Sequence, residues 1–499
     1  MDGGIGVRIL LDLNSVESYQ QFLKIKALPV FRFVGRMAEF PDEYASLIGV
    51  KTKKRKTKEY QPWPGLFDYQ VGCARMAILK KKFAIFMGCG IGKTFCMTEF
   101  ARHVQENSNS GKCILIVSPL MVIRQTIAES VRMYGDKLPI KQLRANSLAD
   151  WLKNGSGIGI TNYEAIVDDL PANRLAALIL DESAMLKSHY GKWGTRLIQM
   201  GKGVEWKLCL TGLPAPNDRI EYANHAVFLD HFPTVNSFLA KFFVNRGQTN
   251  ERWELKPHAL HPFYRALSHW CIFLNNPSTY GWKDNTDPPP PIHVHIEYLD
   301  LSAEQTDAAV LESKSLFPVA TGIESRAKLA QIAKGNYNGK SIETSKPAHI
   351  RGLVDSWPDE STIIWCKYNP EQDRLAAKFP EAANIDGSTP DEKRQDLIEE
   401  FQSGKRKMLI SKPKILGMGL NLQICTRMIF STCQDSLEEF HQAVKRANRI
   451  GSTRPLNVHI PITEIERPMM ENVLRKAKEV DLDTQEQERI FCESGILSI

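Results

Sequence analysis

Three groups of residues in this 499-residue chain have the types and spacing for chemistry on phosphate groups. The first is Gly88-Cys89-Gly90-Ile91-Gly92-Lys93-Thr94, which follows the apolar run Phe83–Met87 and opens an amphipathic stretch over Thr94–Val104. In such a strand–turn–helix context glycines let backbone N–H groups approach phosphate oxygens, Lys93 neutralises the β and γ oxygens, and the Thr94 hydroxyl can ligate Mg²⁺. The GxxxxGK[ST] pattern would put its first glycine where Met87 stands, so only Gly92, Lys93 and Thr94 match it strictly. The flanking strand and helix favour a phosphate loop over a plain glycine turn. The second group is Asp181-Glu182, at the carboxyl end of the apolar run Leu178-Ile179-Leu180. There Asp181 would hold Mg²⁺, partly through water, and Glu182 would polarise an attacking water. The third is Gln442, Arg446 and Arg449, spaced i, i+4 and i+7 so that they share one face of a helix. Two guanidiniums so placed suit the charge that develops on a transferred γ-phosphoryl group, although a merely solvated basic helix reads the same in isolation.

These groups need rigid elements behind them. From Gln61 onward short apolar runs alternate with amphipathic stretches, the rhythm of a parallel α/β sheet. Strands are predicted at 83–87, 113–118, 157–161, 177–181 and 207–211, with helices between them, for example over 94–104 and 121–133. A second series is predicted at 362–366, 383–386, 407–411, 428–431 and 457–461. Asp287-Pro288-Pro289-Pro290-Pro291 fixes an extended backbone and marks the boundary between the series. The expected organisation is an N-terminal extension with a basic linker over 1–60, a first lobe over 61–290, a second over 291–465 and a C-terminal tail over 466–499. Within the first lobe, 218–280 reads as helical with irregular loops, and its aromatic part from Phe242 to Tyr280 could set substrate choice. Lys51–Lys58 carries six bases and no acid, and reads as a solvated, mobile connector.

Composition excludes the special classes. With 43% hydrophobic and 24% charged residues the chain can bury large cores and is neither disordered nor fibrous. No run approaches the ~18–20 apolar residues of a membrane span, and the first residues lack the layout of a secretory signal, so a cytoplasmic location is expected. The 10 cysteines form no CxxC pair and read as reduced core thiols. A formal net charge of +7 is compatible with nucleic acid without demonstrating it.

Over about Gln61–Thr463 the chain resembles superfamily 2 helicases, most closely the Swi/Snf-type branch of DNA-dependent ATPases in its compact phage-like or bacterial-like form. Leu66-Phe67-Asp68-Tyr69-Gln70 resembles the Q motif, and Gly90-Ile91-Gly92-Lys93-Thr94 the branch's usual motif I. Val117-Ser118-Pro119 resembles motif Ia, and Ile160-Thr161-Asn162-Tyr163-Glu164 motif Ib. Asp181-Glu182-Ser183-Ala184 with Lys187 corresponds to motif II, and Leu210-Thr211-Gly212-Leu213-Pro214 to motif III. In the second lobe Asp386-Gly387-Ser388-Thr389 is similar to a track-contacting segment, Gly417-Met418-Gly419-Leu420-Asn421-Leu422 to motif V, and Gln442–Gly451 to motif VI. The chain departs from the branch at Ala184 and Asn448, where histidine is common, at Leu213, where threonine is common, and at Ser452, where glutamine is common.

The resemblance implies an α/β fold of two tandem RecA-like lobes with parallel sheets and an ATP cleft between them. It implies that Gln70, Gly88, Gly90, Gly92, Lys93, Thr94 and Gly419 bind ATP, with Gln70 reading the adenine edge, and that Thr94 and Asp181 hold Mg²⁺. It makes Lys93, Asp181, Glu182, Gln442, Arg446 and Arg449 catalytic, and Ser118, Pro119, Thr161, Asn162, Gly387, Ser388 and Asn421 contacts to nucleic acid. The implied activity is DNA-dependent ATP hydrolysis coupled to translocation on double-stranded DNA by a monomer. A strand-separating or annealing helicase on forks or RNA, and a catalytically silent binding module, remain the alternatives at this point.

Overall fold

The computed structural model describes residues 7–493, apart from positions 13, 29–30, 41–43, 51–58, 89, 110, 187–190, 248–251, 284–288, 316–321, 417–419, 432–435 and 450. The basic connector at 51–58 therefore lies outside the described residues. The chain divides into two compact units, Met1–Asn285 with Val480–Ile499, and Thr286–Glu479.

The first unit opens with a small module. Strands β1 (Val7–Leu10), β2 (Arg32–Val34) and β3 (Met37–Phe40) form an antiparallel sheet in the order β1-β3-β2, joined by helix α1 (Val16–Lys26) and followed by α2 (Ala45–Ile48). Val7, Ile25, Phe40, Tyr44 and Ile48 give it a separate apolar core. What reads as an extension is thus a folded unit, with the Tyr44 ring edge-on to His269 at 4.8 Å.

Helix α3 (Asp68–Lys80) precedes β4 (Lys82–Met87), which leads through the glycine turn into α4 (Lys93–Asn107). Strand β5 (Cys113–Val117) leads into α5 (Leu120–Tyr134), and β6 (Ile140–Gln142), β7 (Gly157–Thr161), β8 (Leu175–Asp181) and β9 (Trp206–Thr211) follow. After a short β10–β11 hairpin (Phe243–Asn245, Trp253–Leu255) comes β12 (Cys271–Leu274), and the sheet runs β12-β4-β9-β8-β5-β7-β6 with every pair parallel. Side chains alternate between two cores: Phe83, Ile85, Ile114 and Ile179 enter one, Phe86, Leu115, Val117 and Leu178 the other. Burial on both faces is why these strands read as unbroken apolar runs, and each fully buried Ile or Leu contributes about 2 kcal/mol.

Two expectations need correction. The aromatic part of 242–280 is largely interior: Phe242, Phe263 and Trp270 are buried, and Cys271–Leu274 is an added strand beside β4, so its buried rings pack the core and cannot read a substrate. The segment read as a C-terminal tail is the 27-residue helix Arg467–Glu493, whose Ile490 and Phe491 are buried in the two cores of the first unit.

In the second unit β13 (Ile292–Leu299), a hairpin of β14 (Asn336–Tyr337) and β15 (Lys340–Ser341), β16 (Thr362–Trp365), β17 (Ala383–Asn384), β18 (Met408–Ser411), β19 (Arg427–Phe430) and β20 (Leu456–Thr463) appear in that order. Six form a parallel sheet, β13-β20-β19-β16-β18-β17. The two parallel, helix-covered sheets are the tandem RecA-like lobes expected from the sequence.

Candidate functional site

The turn after β4 is shaped by its neighbours. The Gly88 N–H donates to the Leu274 carbonyl at 3.0 Å, which anchors the loop to β12. Gly90 and Gly92 have φ of 86° and 95°, in the left-handed region that side chains avoid. At Gly92 space also forbids a side chain, since a Cβ would lie 2.3 Å from the Gln70 Nε2. Lys93 then opens α4, and its ammonium donates to the carbonyls of Met87 at 3.0 Å and Gly88 at 3.3 Å, so the loop curls around the cation. The loop and the first-turn N–H groups of α4 form a concave, positive surface suited to phosphates.

Gln70 takes part in the loop itself. It is buried, its Oε1 accepts from the Phe67 N–H at 3.0 Å, and its Nε2 donates to the Ile91 carbonyl at 3.2 Å. Tyr69 donates to the same carbonyl at 3.1 Å. These bonds brace the phosphate loop and leave one N–H and one oxygen lone pair of the amide outside them.

β8 carries both acids to the sheet's carboxyl edge, and β9 brings Thr211 beside them. Asp181 is 7% exposed, its Oδ2 accepts from the Ser118 hydroxyl at 2.9 Å, and its Oδ1 accepts from the Glu182 N–H at 3.1 Å. Burial, and next the neighbouring Glu182 charge, push the Asp181 carboxyl above the usual range, while the Ser118 hydrogen bond and the Lys93 charge oppose the rise. Glu182 has φ of 50°, a left-handed backbone rare outside glycine, and turns the chain sharply at the strand end. Its Oε2 accepts from the Thr211 hydroxyl at 3.1 Å, and the Thr211 Oγ1 accepts in turn from the Leu213 N–H at 3.3 Å, linking motifs II and III.

The expected nucleic-acid contacts divide. Ser118 and Thr161 are fully buried, and Pro119 is buried too. With the Ser118 hydroxyl on Asp181 and the Thr161 hydroxyl on the Leu143 carbonyl at 3.1 Å, these three side chains are corrected from track contacts to interior supports. Asn162 is half-buried, whereas Gly387, Ser388 and Asn421 are exposed. The turn over 386–389 is self-supporting: Asp386 Oδ1 accepts from the Ser388 N–H at 2.9 Å, the Ser388 hydroxyl at 2.7 Å and the Thr389 hydroxyl at 3.0 Å.

In motif VI the helix Leu437–Ala447 carries Gln442 and Arg446, but it ends before Arg449. Asn448 leaves the helical region, φ −90° and ψ 88°, with its amide donating to the Pro290 carbonyl at 2.6 Å. The expected single helical face is therefore corrected: Arg449 lies beyond the helix end and donates to the Leu420 carbonyl of motif V at 3.4 Å. Gly419, Lys187 and Cys89 lie outside the described residues.

Two contacts at the acid edge went unread in the sequence. The Tyr163 hydroxyl donates to the Asp181 carbonyl at 2.7 Å. His225 pairs with the Ser183 hydroxyl at 3.1 Å and stands edge-on to Phe86 at 5.3 Å, and burial lowers its pKa to about 4. No short-range pattern could reveal either, because the partners lie 18 and 42 positions apart.

Among the described residues no group of three or more His, Cys, Asp or Glu could hold a metal ion. One hydroxyl and one carboxylate, Thr94 and Asp181, fit Mg²⁺, which keeps several waters and takes its remaining ligands from substrate phosphates. A recess of about 620 Å³ lined by Lys112, Asp168, Arg196 and Lys202 lies at the amino ends of the strands, away from the phosphate loop, and its Asp168 and Arg196 are paired at 2.8 Å. Ligands of such sheets bind at carboxyl ends, so that recess is not the nucleotide site. No helix among the described residues is long and apolar enough to cross a membrane.

Comparison with known proteins agrees with this geometry. Residues 65–193 match the family described as type III restriction enzyme, res subunit, and residues 345–451 match the helicase conserved C-terminal domain. The chain is 23% identical over 459 residues to the putative ATP-dependent helicase/translocase YwqA of Bacillus subtilis, covering 81% of this chain and 48% of that protein. It is 22% identical over 422 residues to the ATP-dependent DNA helicase DDM1 of Arabidopsis thaliana, covering 74% of this chain and 55% of that protein. The chain thus spans about half the length of these curated relatives. The Sulfolobus solfataricus SWI2/SNF2 ATPase core in complex with dsDNA aligns with a TM-score of 0.40 at 18% identity, covering 87% of this chain and 97% of that one. With its motifs in order along two RecA-like lobes and both family matches falling on them, the chain is similar to ATP-dependent helicases and translocases over most of its length.

Proposed function

We propose that this chain is a DNA-dependent ATP hydrolase that couples the hydrolytic cycle to movement along duplex DNA. The observation that carries the reading is the acid pair at the carboxyl end of β8, where Asp181 is held by Ser118, Glu182 by Thr211, and Asp181 feels the charge of Lys93. A purely binding module has no use for a buried carboxylate whose neighbours are so arranged.

The roles follow from the groups. Lys93 and the loop N–H groups bind the β and γ phosphates. Thr94 and Asp181 would hold Mg²⁺, whose charge would offset that of the phosphate oxygens. Glu182 orients a water through the oxygen left available beside its Thr211 bond and draws off its proton. Gln442, Arg446 and Arg449 are assigned to the γ-phosphoryl group on the strength of motif VI, and Gly419 to the nucleotide. Asn162, Gly387, Ser388 and Asn421 remain as contacts to the nucleic-acid backbone, and such contacts position without reading sequence, which suits a motor.

DNA as the track is supported by the printed names of relatives that act on DNA, the choice of duplex resting on the motif resemblance, and another relative is named as an RNA helicase. The test is ATP hydrolysis by the purified chain alone and with duplex DNA, single-stranded DNA or RNA, with Lys93→Ala as the inactive control. Stimulation mainly by duplex DNA, lost in the control, is expected. Preference for single strands or RNA replaces the translocase with a strand-separating helicase, and hydrolysis under no condition overturns the enzymatic reading.

A further inference from the structure

We propose that Ser118 is a positioning residue for the Mg²⁺-binding carboxylate of Asp181, acting with Tyr163, which holds the main chain of the same aspartate. The inference rests on the proposed nucleotide chemistry and adds to it two residues whose sequence reading was as part of a nucleic-acid track.

The placement follows from strand register. β5 and β8 are adjacent and parallel, with Val117 opposite Leu180, so the next residues, Ser118 and Asp181, face each other at the sheet's carboxyl edge. Ser118 is held from the other side as well, its N–H donating to the carbonyl of Thr161, the last residue of β7, at 2.9 Å. Its hydroxyl is fully buried and donates to Oδ2 at 2.9 Å, while the Glu182 N–H donates to Oδ1. A carboxylate oxygen has two lone pairs, so one donor on each oxygen fixes the plane of the group and leaves one lone pair per oxygen for a metal ion or its water. Tyr163, 1% exposed, fixes the Asp181 carbonyl at 2.7 Å, immediately before the left-handed turn at Glu182.

Alanine at 118 would leave the Oδ2 of a buried carboxylate short of a donor and free to rotate, without touching Lys93, Thr94 or the loop that binds phosphates. The loss should therefore appear in what Mg²⁺ adds to nucleotide binding. A fluorescent ADP analogue is titrated into the full chain with and without Mg²⁺, for wild type, Ser118→Ala, Ser118→Thr and Tyr163→Phe. In Ser118→Ala the enhancement by Mg²⁺ is expected to fall by about tenfold with Mg²⁺-free affinity retained, as supporting bonds to metal ligands generally act, alongside the lower melting temperature that an unsatisfied buried acceptor brings. Ser118→Thr keeps the hydroxyl and should keep the enhancement, and Tyr163→Phe should lose part of it. An unchanged enhancement in Ser118→Ala overturns the proposal, as does an equal loss in Ser118→Thr or a fall in melting temperature alone. A wild-type chain that binds the analogue in a Mg²⁺-dependent way but hydrolyses no ATP would overturn the functional reading and leave this one standing.

Discussion

The carboxyl edges of the two sheets are built on opposite plans. In the first unit the chemical groups are interior and held by distant partners: Ser118 meets Asp181 across 63 positions, and Thr211 meets Glu182 across 29. In the second unit the turn at 386–389 is more open, with Gly387 and Ser388 exposed, and it holds itself through bonds that Ser388 and Thr389 donate to Asp386. Burial raises the Asp181 carboxyl, whereas the Ser388 hydrogen bond holds the half-buried Asp386 below its usual range. The difference separates two tasks. Phosphoryl chemistry needs a dry, preorganised field, because fixed dipoles act more strongly out of water. Gripping a passing backbone needs accessible donors that keep their shape without a surrounding core.

The contrast can be broken most sharply at Glu182. Glu182→Gln should lower nucleic-acid-stimulated hydrolysis by about 10²–10⁴-fold with nucleotide binding retained, and an unchanged rate in an ATPase assay would remove the first edge from the chemistry. Next in size is the buried long-range bonding of the same unit. Asp483 accepts from Arg219 at 2.8 Å and 2.6 Å, and from Tyr264 at 2.5 Å. Asp483→Ala should cost about 2 kcal/mol in urea unfolding, reduced from the fully buried case because Arg219 is 34% exposed.

A smaller effect is expected from Ser388→Ala, which should weaken duplex affinity about threefold in a binding titration. Its salt slope and basal hydrolysis should not move, because no charge is removed. The smallest is an acid effect on the second unit. Burial pushes Glu297 up, but hydrogen bonds from His459 at 2.7 Å and His349 at 3.0 Å hold its carboxyl below the model-compound value of 4.5. A depressed folded-state pKa gives stability that is present above pH 4.5 and is lost as pH falls through the lower folded value. Unfolding midpoints measured from pH 6 to pH 3 should show that loss in wild type and a shallower one in Glu297→Gln.

Five strands of each lobe were legible because burial on two faces demands unbroken apolar runs, as in the wholly buried β5 and β8, whereas the largely exposed β6 and β13 went unread. Nor was strand β12 legible, because four apolar residues amid helical aromatics carry no period of their own, and only pairing with β4 makes them a strand. The end of the motif VI helix was misread for a local reason: nothing in the pattern of Gln442, Arg446 and Arg449 signals that the Asn448 amide turns aside to the Pro290 carbonyl.

The sequence by itself determined the chemical inventory, since a glycine-rich turn with Lys93 and Thr94 and a strand ending in Asp181 and Glu182 are short, contiguous patterns whose physics is local. It likewise determined that two parallel α/β lobes would carry them. Only the tertiary structure decided how those groups are held and turned. Gln70 braces the phosphate loop, Ser118 and Tyr163 hold Asp181, and Thr211 holds Glu182, each across a distance in the chain that no local pattern spans. A hydrogen bond between distant residues depends on strand order and register, and those are set by how the whole sheet packs between its two cores.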